Sequence, residues 1–110
     1  MLQIERINNL TIGLISCNDL DSDNSELFLS EIAPYLTAGA CVILDMRELQ
    51  YIDSSGLGVV LSCNQRLREL GGSFKLCGLS DTVRVMFEMV QMIKLFEIYP
   101  SRERAIEACS

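Results

Sequence analysis

The chain has 110 residues, 9 basic against 15 acidic, with a formal net charge of -6, no histidine, no tryptophan and 5 cysteines. That length fits a single domain over residues 1–110, and a hydrophobic fraction of 49% supplies a core and argues against disorder. The acidity argues against direct binding of nucleic acid, whose phosphates need Lys and Arg. The missing imidazole removes Ser-His-Asp and Cys-His catalysis and His-ligated metal sites, so no catalytic residue, metal or cofactor is expected.

In chain order, Leu2-Gln3-Ile4-Glu5 and Leu10-Thr11-Ile12-Gly13-Leu14 alternate apolar and polar residues around Asn8-Asn9. Asn tolerates the positive φ of a tight turn, so this reads as an antiparallel hairpin. The acidic stretch Asn18-Asp19-Leu20-Asp21-Ser22-Asp23 follows, with short polar side chains that favour a turn or a helix N-cap. Residues 1–65 hold two basic and nine acidic residues, a balance of -7, against seven basic and six acidic in residues 66–110. The acidity at 19–26 suits either a solvated loop or a docking surface for a basic partner.

A helix is expected over 25–38, with Leu27, Ile32, Tyr35 and Leu36 inward and Gly39 as its stop. Pro34 should kink it or end its regular part. Cys41-Val42-Ile43-Leu44-Asp45-Met46 has the near-continuous apolarity of a strand covered on both faces. Residues 47–53 form a connection with a short extended piece. After Ser54-Ser55-Gly56-Leu57-Gly58 comes a helix whose inner face is Leu57, Val60, Leu61, Asn64 and Leu67, ending at Gly71-Gly72. Phe74–Cys77 reads as a strand, parallel to the previous one through a right-handed crossover. Ser80 caps a helix facing inward with Val83, Met86, Phe87 and Val90. Leu95–Ile98 is a last strand, and Pro100-Ser101 starts a final helix with Ala105, Ile106 and Ala108 inward. The class is α/β (α+β in some schemes): a mixed sheet, an N-terminal hairpin, then β-α-β-α-β-α, with about four helices.

One stretch reads as a site. Asp53-Ser54-Ser55-Gly56-Leu57-Gly58 lies between a strand and the following helix, where ligands gather in open α/β sheets. A helix start offers free N–H groups and the positive end of the dipole. Gly56 and Gly58 leave room for another molecule's backbone. The serines could simply be N-cap residues helped by Asp53. A nucleophile elbow needs Gly-x-Ser-x-Gly, which is absent, and a phosphate loop needs Gly-x4-Gly-Lys-Ser/Thr, also absent. A serine modified by a partner enzyme needs only exposure ahead of a helix.

Val42-Ile43-Leu44-Asp45, Ile52-Asp53-Ser54-Ser55-Gly56-Leu57-Gly58, Gly71-Gly72 and Phe74-Lys75-Leu76-Cys77-Gly78-Leu79-Ser80 together resemble the STAS domain of sulphate transporters and anti-sigma factor antagonists. Val83–Phe87 and Ile93–Phe96 resemble its later segment. The resemblance implies a STAS-like fold and a cytoplasmic anti-sigma factor antagonist that works by partner switching. It implies an anti-sigma factor that is also a serine kinase, binding the unmodified chain and releasing it once the serine after the motif aspartate is phosphorylated. That serine is Ser54, with Ser55 as second choice. It implies a PP2C-type phosphatase for the reverse step. Asn18-Asp19-Leu20-Asp21 is similar to the family's Gly-Glu-Leu-Asp with its glycine replaced. Asp21 therefore joins Asp53, Ser55, Gly56 and Leu57 as the expected partner-binding residues.

The alternative is a STAS subunit of a lipid-transport ATP-binding cassette complex, in which the serine would be structural. A STAS piece of an anion transporter and a nucleotide-binding domain fit less well. The N-terminus Met-Leu-Gln-Ile-Glu-Arg has charge where a leader needs an apolar run, and no membrane span is expected. The cysteines at 17, 41, 63, 77 and 109 form no Cys-x-x-Cys, so reduced thiols are expected.

Overall fold

The structure, a computed structural model, describes residues 1–109. Strands β1 (Leu2–Ile7) and β2 (Leu10–Ile15) form the expected antiparallel hairpin, pairing Ile7 with Leu10. Asn8, at φ 56°, makes its two-residue turn. Strands β3 (Asp19–Leu20), β4 (Cys41–Asp45), β5 (Tyr51–Ile52), β6 (Ser73–Cys77) and β7 (Glu97–Tyr99) follow. The main sheet runs β1-β2-β4-β6-β7, with β2, β4, β6 and β7 mutually parallel. β3 and β5 form a separate parallel ladder of two residue pairs.

Helix α1 (Ser25–Ile32) is shorter than the expected 25–38. Pro34 lacks the N–H that would continue it, and Ala33–Tyr35 tightens into a 3₁₀ turn. Its inner residues are Phe28 and Ile32, both fully buried, whereas Leu27, expected inward, is 52% exposed. Phe28 stands four residues from Ile32 and shares its face, so one face buries both, each contributing about 1.5–3 kcal/mol, while Leu27 lies off that face. Helices α2 (Ser54–Glu69), α3 (Asp81–Met89) and α4 (Arg102–Ala108) complete the four expected. Val90 and Ala108, both expected inward, are exposed. Val90 lies just past the end of α3, and Ala108 is the last residue of the short α4.

The apolar run at 41–46 has the expected cause. Val42 and Leu44 enter the large core beneath α1, α2 and α3, while Ile43 faces the opposite side under α4 with Ile12, Cys77 and Ala105. Asp45, the last residue of β4, is almost fully buried, at 2% exposed. Its Oδ2 accepts a hydrogen bond from Arg102 Nε at 3.1 Å, with Arg47 Nε at 3.6 Å. The expectation of reduced thiols is corrected at one pair: Cys41 and Cys109 form a disulfide, and Cys17, Cys63 and Cys77 are free. Sixty-eight residues separate the pair in sequence. They meet because α4 folds back along the strand that Cys41 begins. No helix among the described residues is long and apolar enough to cross a membrane.

Candidate functional site

The β3–β5 ladder builds the site. It pairs Asp19 with Tyr51 and Leu20 with Ile52, placing the acidic loop beside the start of α2. The Asn18 carbonyl accepts hydrogen bonds from Gln50 N (2.7 Å) and Tyr51 N (3.0 Å), and the Leu20 carbonyl accepts one from Asp53 N (3.2 Å). The chain then turns into α2 with Asp53 as N-cap, at φ -104° and ψ -173°. Asp53 Oδ1 accepts from Gly56 N at 3.0 Å, satisfying one free donor of the helix start. Its Oδ2 accepts from Ser22 N at 3.2 Å. One carboxylate thus caps the helix and anchors the loop.

Because Asp53 is the cap, neither Ser54 nor Ser55 is needed for it. Ser54 is the first residue of α2 and is exposed, while Ser55 is half-buried. The first turn carries no acidic residue inside the helix, and the carboxylate at the positive end of its dipole is that of the N-cap, Asp53.

Asp21 is half-buried and organises the loop itself. Its Oδ1 accepts from Asp23 N at 3.0 Å, and its carbonyl accepts from Ser25 N at 2.9 Å. Asn24 turns its side chain into the same loop, accepting from Asp21 N (2.9 Å) and donating to the Asp19 carbonyl (2.8 Å). It therefore makes no side-chain cap for α1, although the sequence allowed one in this stretch. Asp19, Ser22, Asp23 and Glu26 are exposed, so the loop presents its negative charge to solvent.

Gly56 and Leu57, expected to contact a partner, are buried, with Leu57 at 3% exposed in the core. The backbone that approaches Gly56 belongs to the chain itself. A Cβ there would collide with the Leu20 carbonyl oxygen and the Ile52 side chain. Gly58 has open space around it. The structure therefore brings Asp21, Asp53, Ser54 and Ser55 to one end of the fold and puts Gly56 and Leu57 beneath them.

Two further residues stand at this end of the fold without having been singled out in the sequence. Ser22 contributes a backbone N–H, which no side-chain pattern signals. Tyr51 is 45% exposed next to the fully buried Ile52. The two-residue alternation of a strand would have found it, had two residues been enough to read as a strand.

Chemically, the site offers an exposed hydroxyl at a helix start beside a carboxylate already holding two N–H groups. It has no imidazole to activate that hydroxyl, because the chain has none.

The model of the STAS domain family matches residues 3–105. The chain is 34% identical over 108 residues to BtrV of Bordetella bronchiseptica, which is named among the anti-sigma factor antagonists, covering 97% of this chain and 92% of that protein. It is 26% identical over 108 residues to the anti-sigma F factor antagonist of Paenibacillus polymyxa, covering 96% and 92% respectively. The solved structure of the anti-sigma factor antagonist SpoIIAA in its unphosphorylated form matches with a TM-score of 0.80 at 25% identity, covering 98% of this chain and 95% of that one.

Proposed function

The chain belongs to the STAS domain family, and from that premise we propose that it is an anti-sigma factor antagonist switched by phosphorylation of Ser54. In its unmodified state it binds an anti-sigma factor that is also a serine kinase, and so frees a sigma factor in the cytoplasm. The kinase transfers phosphate to Ser54, the complex separates, and a PP2C-type phosphatase restores the hydroxyl. The chain is a ligand and a substrate in this cycle, not a catalyst. The names of its relatives support antagonism of an anti-sigma factor.

The switch at Ser54 rests on its exposure at the α2 start, next to the Asp53 carboxylate that holds the acidic loop. Asp21, Asp53 and Ser55 supply the binding face, while Gly56 and Leu57 hold its shape from below. A phosphate adds ~ -1.5 to -2 charges at neutral pH. The helix dipole tolerates it, so the fold persists. In a desolvated interface already lined by carboxylates it repels, weakening the complex by on the order of 100-fold.

The test is incubation with the anti-sigma kinase and ATP, followed by mass spectrometry. Phosphate should map to Ser54, and Ser54→Ala should stay bound to the kinase when ATP is present. Release of Ser54→Ala by ATP would assign the switch to another residue, Ser55 being the next to examine.

A further inference from the structure

Helix α4 is fastened at both ends to one strand. Its first residue, Arg102, donates to Asp45 Oδ2 at 3.1 Å, and Asp45 is the last residue of β4. Its C-cap, Cys109, is bonded to Cys41, the first residue of β4. Between these anchors the packing is thin. Of the seven residues of α4, only Ala105 is buried, and Ile106 is half-buried. Yet this helix covers Ile12, Ile43 and Cys77 on the second face of the sheet, all fully buried. A helix of that length does not persist on its own propensity, so the two anchors add to the packing of Ala105 and Ile106 in holding it on the sheet.

We infer that the Cys41–Cys109 bond is a reversible redox latch on α4. The pair is reachable: an open groove of about 420 Å³ is lined by both cysteines together with Asn9, Gly39, Ser73 and Ile106. The remaining thiols compete poorly. Burial pushes Cys63 and Cys77 up to about 12, leaving both un-ionised at neutral pH. Cys17 lies beside the Asp19 carbonyl, away from the groove.

The reaction partner is a small-molecule disulfide. One cysteine thiolate attacks it, forming a mixed disulfide and releasing one small thiol. The other cysteine thiolate then attacks the mixed disulfide at the protein sulfur and releases the second. The two protons lost by the cysteines end on the two released thiols, and the protein gives up two electrons. A dithiol reductant reverses the sequence. Cys41 begins β4 whereas Ser54 follows the elements beyond its far end, so the latch is independent of the Ser54 reading.

The full chain should be equilibrated with glutathione disulfide or with dithiothreitol. With the disulfide, peptide mapping should recover a Cys41–Cys109 link, with residues 102–109 protected in hydrogen exchange. With dithiothreitol, that protection should fall, Cys77 should alkylate roughly tenfold faster or more, and the thermal midpoint should drop by on the order of 10 °C. Cys109→Ser should behave as the reduced protein in both buffers. A link between other cysteines, no link under the oxidant, or equal protection of 102–109 in both buffers would overturn the latch.

Discussion

The Asp53 carboxylate meets the Ser22 backbone N–H at 3.2 Å, across 31 residues of sequence, while its other oxygen holds Gly56 N at 3.0 Å. The acidic loop and the α2 start are therefore one mechanical unit. Asp53→Ala removes both acceptors and should cost about 1–2 kcal/mol, the scale of a lost N-cap. Urea unfolding reads the cost, and hydrogen exchange should show faster exchange at Ser22 and Gly56 together. Faster exchange at Gly56 alone would mean that the loop is held by the β3–β5 ladder and not by Asp53.

The two motif glycines should behave oppositely. Gly56→Ala drives a methyl group into the Leu20 carbonyl oxygen and Ile52, so loop and helix must separate. A cost of roughly 2–3 kcal/mol is expected, as for overpacking against a backbone that cannot give way. Gly58 lies in the first turns of α2, where a methyl group would meet nothing within 4 Å beyond its chain neighbours and its own helix backbone. Gly58→Ala should stabilise by about 0.5–1 kcal/mol through helix propensity. Denaturant midpoints of the two variants, moving in opposite directions, check this. Equal losses would place Gly58 in a contact with its own helix neighbours.

Much of this was legible in the chain because the signals were local. Alternation marked the hairpin, unbroken apolarity marked β4, and Ser80 marked the start of α3, where its Oγ accepts from Val83 N at 3.2 Å. Asp53-Ser54 could be seen as a helix start for the same reason. What was hidden depends on contacts distant in sequence. The β3–β5 ladder is two residues long, too short for any period to register. Gly56 read as open space for a partner because the approach of Leu20 is tertiary. Cys41 and Cys109 carried no spacing signal, since only the return of α4 along β4 joins them. Leu27 and Phe28 are adjacent and both apolar, but only Phe28 stands four residues from Ile32, so here helical spacing does pick the inner one.

The buried Asp45 makes its two arginines unequal. Arg102 holds it at 3.1 Å and is mostly covered, at 21% exposed, whereas Arg47 stands at 3.6 Å and is 58% exposed. Removing Arg102 leaves a carboxylate in the sheet interior with a weaker, solvated partner. Arg102→Ala should cost roughly 3 kcal/mol, and Arg47→Ala under about 1 kcal/mol. Equilibrium unfolding of both variants in reducing buffer isolates the ion pairs from the disulfide. A loss under about 1 kcal/mol for Arg102→Ala as well would mean that Arg47 moves in to replace it.

Cys63 predicts the alkaline limit of stability. It sits fully buried on α2, and burial pushes its thiol from an ordinary 9.0 up to about 12. Cys77 is raised likewise, by burial first and then by the Asp45 charge. In the folded chain these thiols stay neutral, while in the unfolded chain they ionise above about pH 9. The unfolded state therefore binds fewer protons than the folded one in that range, and stability falls as pH rises. The contribution is complete below about pH 9 and is lost as pH climbs from there toward about 12. Cys63→Ala lowers stability at every pH by removing packed volume, but it should flatten the decline above about pH 9 because one raised thiol is gone. Urea midpoints across that range in reducing buffer give the slopes. Parallel wild-type and Cys63→Ala curves would show that other groups, and not this thiol, govern unfolding in alkali.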